Sequence, residues 1–284
     1  MRSGSNCGKI NDIVRNLLPD YPLLISAGAG MGVDSGLPDF RGNHGFWENY
    51  PPLRKLRINF KEMANPRWFL KQPSLAWGFY GQRWTIYQDT QPHEGFSILR
   101  KIAMNRSSFF VFTSNVDGHF QKAGFPSNQI VECHGSINHL QCTQNCGQDL
   151  WCLPSEYNFE IDHNSLLAQK PLPHCPSCNA IARPNILMFS DLGWNSIKTD
   201  QQSQRLQSWL IKNAGSPLVI IEIGAGSAVP TVRQACKDIS MNWKKEVAFI
   251  RINPEEPKPL FGVLQLKGSA LDVLKKIDKE LALK

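Results

Sequence analysis

Five short apolar runs, largely β-branched, recur along this 284-residue chain, and Gly, Asn or Asp follows each of them closely. They are residues 23–26 before AGAG, 109–113 before SNVDG, 129–133 before HGS, 218–223 before GAGS and 247–252 before NPEEP. Runs without polar alternation suit strands buried on both faces, the condition of a parallel sheet. Segments 92–105 and 202–214 are long enough for crossover helices, so the alternation predicts a doubly wound sheet. Ligands of such sheets bind beyond the strand C-termini, which is where all five polar motifs fall.

Two stretches break the alternation. Residues 43–91 are rich in Trp, Phe, Tyr and Pro, and residues 135–183 carry two cysteine pairs among many turn formers. The expected architecture is α/β. A Rossmann-like doubly wound parallel sheet is built from 1–42, 92–134 and 184–284, and a smaller zinc-containing helical and ribbon domain comes from the insertions 43–91 and 135–183. A cleft is expected between them.

At 42% hydrophobic and 19% charged the composition excludes disordered and fibrous chains. No apolar run approaches the roughly 20 residues of a membrane span, so no membrane partner is expected. The N-terminal residues lack the apolar region of a secretory signal, which predicts a cytoplasmic address. The net charge of +7 is scattered. Its densest clusters, at Arg54, Lys55 and Arg57 and at Lys275 and Lys276, read as solvated faces, and no direct nucleic-acid binding is expected.

Eight cysteines are too dilute for a disulfide framework. Cys142-x₃-Cys146 and Cys175-x₂-Cys178 supply four thiolates, a set that suits a closed tetrahedral zinc site better than redox pairs. Such a site is structural, because no coordination position stays open. Cys7, Cys133, Cys152 and Cys236 are expected to be free thiols.

Three further features carry chemistry. Residues 28–42, GAGMGVDSGLPDFRG, follow a predicted strand and offer backbone N–H groups to a pyrophosphate, although Val33 at the third glycine position leaves a plain tight turn equally open. His134 precedes Gly135 at a strand end. An imidazole with a pKa near 6.5 suits a general base, and a histidine satisfied by hydrogen bonds suits the same place. Tyr80 and Arg83 stand three apart in AWGFYGQRW, which periodicity reads as an amphipathic helix with a surface arginine.

Taken in order, these motifs resemble the sirtuin family, the NAD-dependent protein deacylases. The resemblance rests on residues 28–42, Thr113-Ser-Asn-Val-Asp117, Ala123-Gly124, His134-Gly135, the cysteine pairs, Arg183-Pro-Asn-Ile, Gly224-Ala-Gly-Ser227 and Ile252-Asn253, and spans nearly the whole chain. It implies NAD as co-substrate, with Gly28, Ala29, Gly30, Gly36, Asp39, Phe40 and Arg41 around its pyrophosphate, ribose and nicotinamide. Ser114, Asn115 and Asp117 would line the nicotinamide pocket. Gly224, Ala225, Gly226, Ser227, Asn253 and Ala270 would hold the adenosine half. His134 becomes the base that activates a ribose hydroxyl, and the Phe40 loop a shield against water. Met188 and Phe189 lie in the segment that would pair with an acyl-lysine protein or peptide substrate as an added strand. The implied reaction moves the acyl group to ADP-ribose and releases nicotinamide.

Sirtuins that remove succinyl or malonyl groups carry a Tyr and an Arg three residues apart in this insertion, so Tyr80 and Arg83 imply a preference for acidic acyl groups. The chain departs from the family at Gly32 (usually Ser), Ser114 (Gln), Phe120 (His) and Ser190-Asp191 (Gly-Glu). These departures keep open an NAD glycohydrolase or mono-ADP-ribosyltransferase that uses the same pocket.

Overall fold

The computed structural model describes residues 6–17, 19–38, 42–154, 156–255 and 262–283. Among these residues ten strands run in chain order: β1 (Leu23–Ala27), β2 (Phe109–Thr113), β3 (Ile130–Glu132), β4 (Gly135–Cys142), β5 (Ile161–Asp162), β6 (Leu167–Ala168), β7 (Ala182–Ile186), β8 (Leu218–Ile223), β9 (Val247–Asn253) and β10 (Val263–Lys267). Six of them form one sheet in the order β10-β9-β8-β1-β2-β3, every neighbouring pair parallel. All five apolar runs became strands of this sheet.

The sixth strand, β10, is absent from the sequence-based prediction. It is an edge strand whose VLQLK sequence is mostly half-exposed, so it lacks the buried apolar run that marks the others. The adjacent crossovers match the pattern in place and type, as helices Glu94–Met104 and Ile197–Asn213.

Period-2 alternation divides the strand side chains between two cores. Leu23, Ile25, Val111, Val219, Ile221 and Ile250 face one side, covered by helices Asn6–Leu17, Glu94–Met104 and Ala270–Leu281. Leu24, Phe110, Leu218, Ile220 and Phe249 face the other, under Ile197–Asn213 and Thr231–Asn242. Helices on both faces explain why these strands read as unbroken apolar runs.

A third core joins the aromatic stretch to the antiparallel β4-β7 pair. Phe46, Tyr50, Phe69, Trp77 and Phe79 pack there with Ile137, Leu140 and Ala182. Its central helix, Pro73–Asp89, is not the amphipathic helix that periodicity suggests. Residues 75–81 are all buried, because aromatic residues meet neighbours on every side. Trp77 stacks on Phe159 at 5.1 Å and donates its indole N–H to the Ala182 carbonyl at 2.9 Å. Trp77 and Trp84 are buried in this core and Trp68 packs against it.

Candidate active site

The C-terminal ends of β1, β2, β3, β8 and β9 open together onto one cavity of about 610 Å³. Two glycine-bearing loops meet beneath it. A Cβ on Gly224, whose φ is +61°, would lie 2.3 Å from the Met31 nitrogen and 2.4 Å from the Gly30 carbonyl carbon. Only glycine lets the loops after β1 and β8 approach so closely, and the Gly30 N–H then donates to the Gly224 carbonyl at 3.0 Å. The loop after β8 is held further by Ala225, whose carbonyl accepts from Asn253 Nδ2 at 2.9 Å and from Arg233 Nε and Nη2 at 2.9 and 2.8 Å. The outcome is a backbone cradle of the kind that fits a dinucleotide.

His134 stands where the chain leaves the parallel sheet for the β4-β7 ribbon. The Cys133 N–H still extends the β2-β3 ladder by donating to Thr113, while the His134 carbonyl accepts from Leu187 at 3.0 Å. Gly135 makes the turn between them: its φ is +76°, and a Cβ would lie 2.0 Å from the Asn185 carbonyl oxygen. The imidazole Nε2 lies 3.2 Å from Thr231 Oγ1. Burial pushes its pKa below the usual value, and a hydrogen bond to the Ser114 backbone opposes this in part. The ring is therefore neutral at neutral pH, as a base must be. Cys133 beside it is a half-buried thiol whose pKa burial pushes up to about 12, which disqualifies it as a nucleophile.

Asp117 is buried at the same cavity, and burial raises its pKa to about 6, against the His119 N–H and the nearby Arg83 and Lys122. Its Oδ1 accepts from the His119 N–H at 2.9 Å. Lys122, one turn further on, donates to the carbonyls of Tyr87, Gln88 and Thr90. That contact caps the C-terminal end of helix Pro73–Asp89, so the segment carrying Asp117 and the helix carrying Tyr80 and Arg83 are tied together.

Tyr80 and Arg83 line the cavity with His134. Arg83 is only 9% exposed, so it is no surface arginine. Its Nε and Nη2 both donate to the Tyr87 hydroxyl, at 3.1 and 2.6 Å, and it lies over the Phe79 and Tyr87 rings. Burial raises the pKa of Tyr80, which keeps its phenol protonated and able to donate.

Met188 and Phe189 also line the cavity, on the segment after β7. Asp191 holds that segment with a bidentate bond to Arg183 at 2.6 and 2.8 Å, both partners buried, and it accepts from the Met188 N–H at 3.3 Å. Ser190, which the resemblance marks as a departure from Gly, adopts a φ of +55°. The Phe189 N–H donates to the Ala64 carbonyl at 2.9 Å.

Gly28, Ala29, Gly30, Ser114, Asn115, Asp117, His134 and Gly224 through Ser227, with Asn253, all line this one cavity. Gly36 and Ala270 are not among its lining residues. Gly36 ends a 3-10 turn with a φ of +89°, and Ala270 is the buried first residue of the last helix, next to Leu271, whose N–H donates to Asp34 Oδ2. Asp39, Phe40 and Arg41 lie outside the described residues. The sequence reading missed Tyr87, Arg233 and Glu255, which also line the cavity. Tyr87 was within reach, since it follows Arg83 by four residues on one helix face. Arg233 and Glu255 carry no such spacing.

Away from the cavity, Cys142, Cys146, Cys175 and Cys178 gather their four Sγ atoms within 4.8 Å of one another. The closest pairs are Cys142 with Cys178 at 3.5 Å and Cys146 with Cys175 at 3.6 Å. Four sulfurs about 2.3 Å from a tetrahedral zinc would stand roughly 3.8 Å apart, so the cluster fits that ion. Cys133, Cys152 and Cys236 are free thiols, while Cys7 lies outside the described side chains. No helix among the described residues is long and apolar enough to cross a membrane.

Comparisons with known proteins bear on the family and the fold. The sequence profile of the Sir2 family matches residues 28–220. An NAD-dependent protein deacylase of Aquifex aeolicus is 30% identical over 251 residues, covering 88% of this chain and 91% of that protein. One from Pyrococcus furiosus is 29% identical over 275 residues, covering 96% and 98%. Among solved structures, a Sir2 homologue–NAD complex superposes with a TM-score of 0.70 at 22% identity, covering 96% of this chain and 94% of that one. With a profile matched over most of its length and a relative this similar across nine-tenths of it, the chain belongs to the Sir2 family.

Proposed function

We propose that this protein is an NAD-dependent protein-lysine deacylase that takes acidic acyl groups, succinyl or malonyl, as well as or better than acetyl. The observation that carries the reading is the convergence in one cavity of the double glycine cradle, a half-buried neutral imidazole and the Tyr80–Arg83 pair. The names of the Aquifex and Pyrococcus relatives support the activity, and a structure of Sir2 bound to acetylated peptide supports the substrate class.

Bound NAD supplies the sugar carbon from which nicotinamide leaves and the ADP-ribose that accepts the acyl group. Gly28 to Gly30 and Gly224 to Ser227 shape the cradle for its phosphates and adenosine half, the N–H groups of Gly28, Gly30 and Gly224 being held by the Ile223, Gly224 and Ile252 carbonyls, with Asn253 beside them. Asp39, Phe40 and Arg41 complete the family motif in this reading. Asn115 and Asp117 flank the nicotinamide. His134 receives the proton of a ribose hydroxyl at Nε2, an effect worth about 10² to 10⁴ in rate. Met188 and Phe189 pair with the substrate backbone. The Arg183–Asp191 bond keeps their segment in register for that pairing. The two insertions act as one smaller domain across the cleft from the sheet.

At the far end of the acyl chain, a guanidinium and a neutral phenol bind a terminal carboxylate. Each charge-assisted hydrogen bond there is worth about 1.5 to 3 kcal/mol. The experiment is a comparison of kcat/KM on succinyl-lysine and acetyl-lysine peptides in the wild type and Arg83→Met. The expected outcome is a succinyl to acetyl ratio that falls at least roughly tenfold in Arg83→Met, with acetyl turnover retained. A strong acetyl preference in the wild type, unchanged in the variant, contradicts the acyl assignment.

A further inference from the structure

Helix Thr231–Asn242 begins at the rim of the cavity, between the lining residues Val229 and Val232. Its first residue places Oγ1 3.2 Å from Nε2 of His134. The Ser114 backbone favours a proton on the ring, against burial. In the tautomer in which Nε2 serves as the base, it presents its lone pair to Thr231. The threonine hydroxyl can donate or accept, and here it donates. Once Nε2 holds a proton the same oxygen accepts from it, and this charge-assisted bond is roughly twice as strong as the neutral one.

We propose that Thr231 is a positioning residue for His134, its hydroxyl holding Nε2 turned into the cavity until a substrate hydroxyl takes its place. The inference rests on the reading of His134 as the base. It gives a hydroxyl at the start of a helix a task that neither the glycine cradle nor the acyl end of the cavity performs. Among the described residues four charged side chains line the cavity: Arg83 from helix Pro73–Asp89, Asp117 after β2, Arg233 from the helix of Thr231, and Glu255 after β9. Burial and the Ser114 backbone also act on the imidazole's titration, and both stay in place when the hydroxyl is removed.

The sign follows from the two bonds. The hydroxyl stabilises the imidazolium more than the imidazole, so it raises the pKa that burial depresses. Thr231→Val keeps the shape and removes the hydroxyl, and is expected to lower the midpoint of the His134 titration by about half a unit to one unit. Thr231→Ser keeps the hydroxyl and the midpoint.

The experiment is a nitrogen-15 NMR titration of the His134 ring in the NAD-free protein, with the signal assigned by its loss in His134→Ala. It is paired with kcat/KM at the pH optimum. In Thr231→Val the midpoint falls and kcat/KM drops roughly two- to tenfold, while Thr231→Ser stays within about twofold of the wild type. An unmoved midpoint in a normally folded Thr231→Val overturns the Thr231 role even where His134→Ala is inactive. Normal turnover in His134→Ala instead overturns the base on which that role depends, whatever the midpoint does.

Discussion

Among the individual side chains, Asp117 and His134 are pushed in opposite directions by the same cause, burial, and both shifts favour the neutral form. Because the folded pKa of Asp117 is raised to about 6, its contribution to stability is fully present below its ordinary value of 3.8 and is lost as pH rises through about 6. Asp117→Asn keeps an oxygen for the His119 N–H and removes the buried charge. It is expected to stabilise the fold at pH 7.5, by on the order of 2 kcal/mol, and to give no such gain at pH 4. Thermal melts at the two pH values check this, and an equal effect at both contradicts the shift. For His134 the expectation is functional: His134→Ala lowers deacylase turnover by about 10² or more with the melting temperature near that of the wild type. Near-normal turnover contradicts the base assignment. These two residues were legible in the sequence because each sits in a motif behind an apolar run. Thr231 was not, since its contact with His134 crosses 97 positions and depends on how two loops fold together.

For the elements, legibility followed burial. The five runs read as strands because their side chains are covered, even in β3 at one edge, whereas β10, half-exposed at the other edge, did not. Helix Pro73–Asp89 was found as a helix and misjudged as amphipathic, because periodicity assumes one apolar face and this helix is surrounded. Its burial turns Arg83 from a solvated cation into a cavity residue, a change only the tertiary structure supplies. The cysteine module was legible from ligand spacing alone. Cys142 lies at the end of β4, and Cys175 and Cys178 lie just before β7, so the thiolates clamp the two strands of the ribbon. Structural zinc stabilises isolated modules of this kind by roughly 10 to 16 kcal/mol. Cys175→Ser is therefore expected to lose the metal and to lower thermal stability markedly. Elemental analysis beside a thermal melt tests it, and unchanged metal content contradicts the four-thiolate site.

For the whole molecule, the parallel sheet brings motifs from five separate chain segments to one edge, and the aromatic core closes the opposite side of the same cavity. The account's central claim is that this cavity couples the loss of nicotinamide to the removal of an acyl group. A glycohydrolase or ADP-ribosyltransferase on the same fold would break the same bond and leave the acyl-lysine intact. The most direct measurement is mass spectrometry of the products after incubation with NAD and a succinyl-lysine peptide. The account predicts free lysine peptide, nicotinamide and acyl-ADP-ribose in equal amounts. Nicotinamide accompanied by free ADP-ribose, or by ADP-ribosylated protein, with the peptide still acylated, would contradict it.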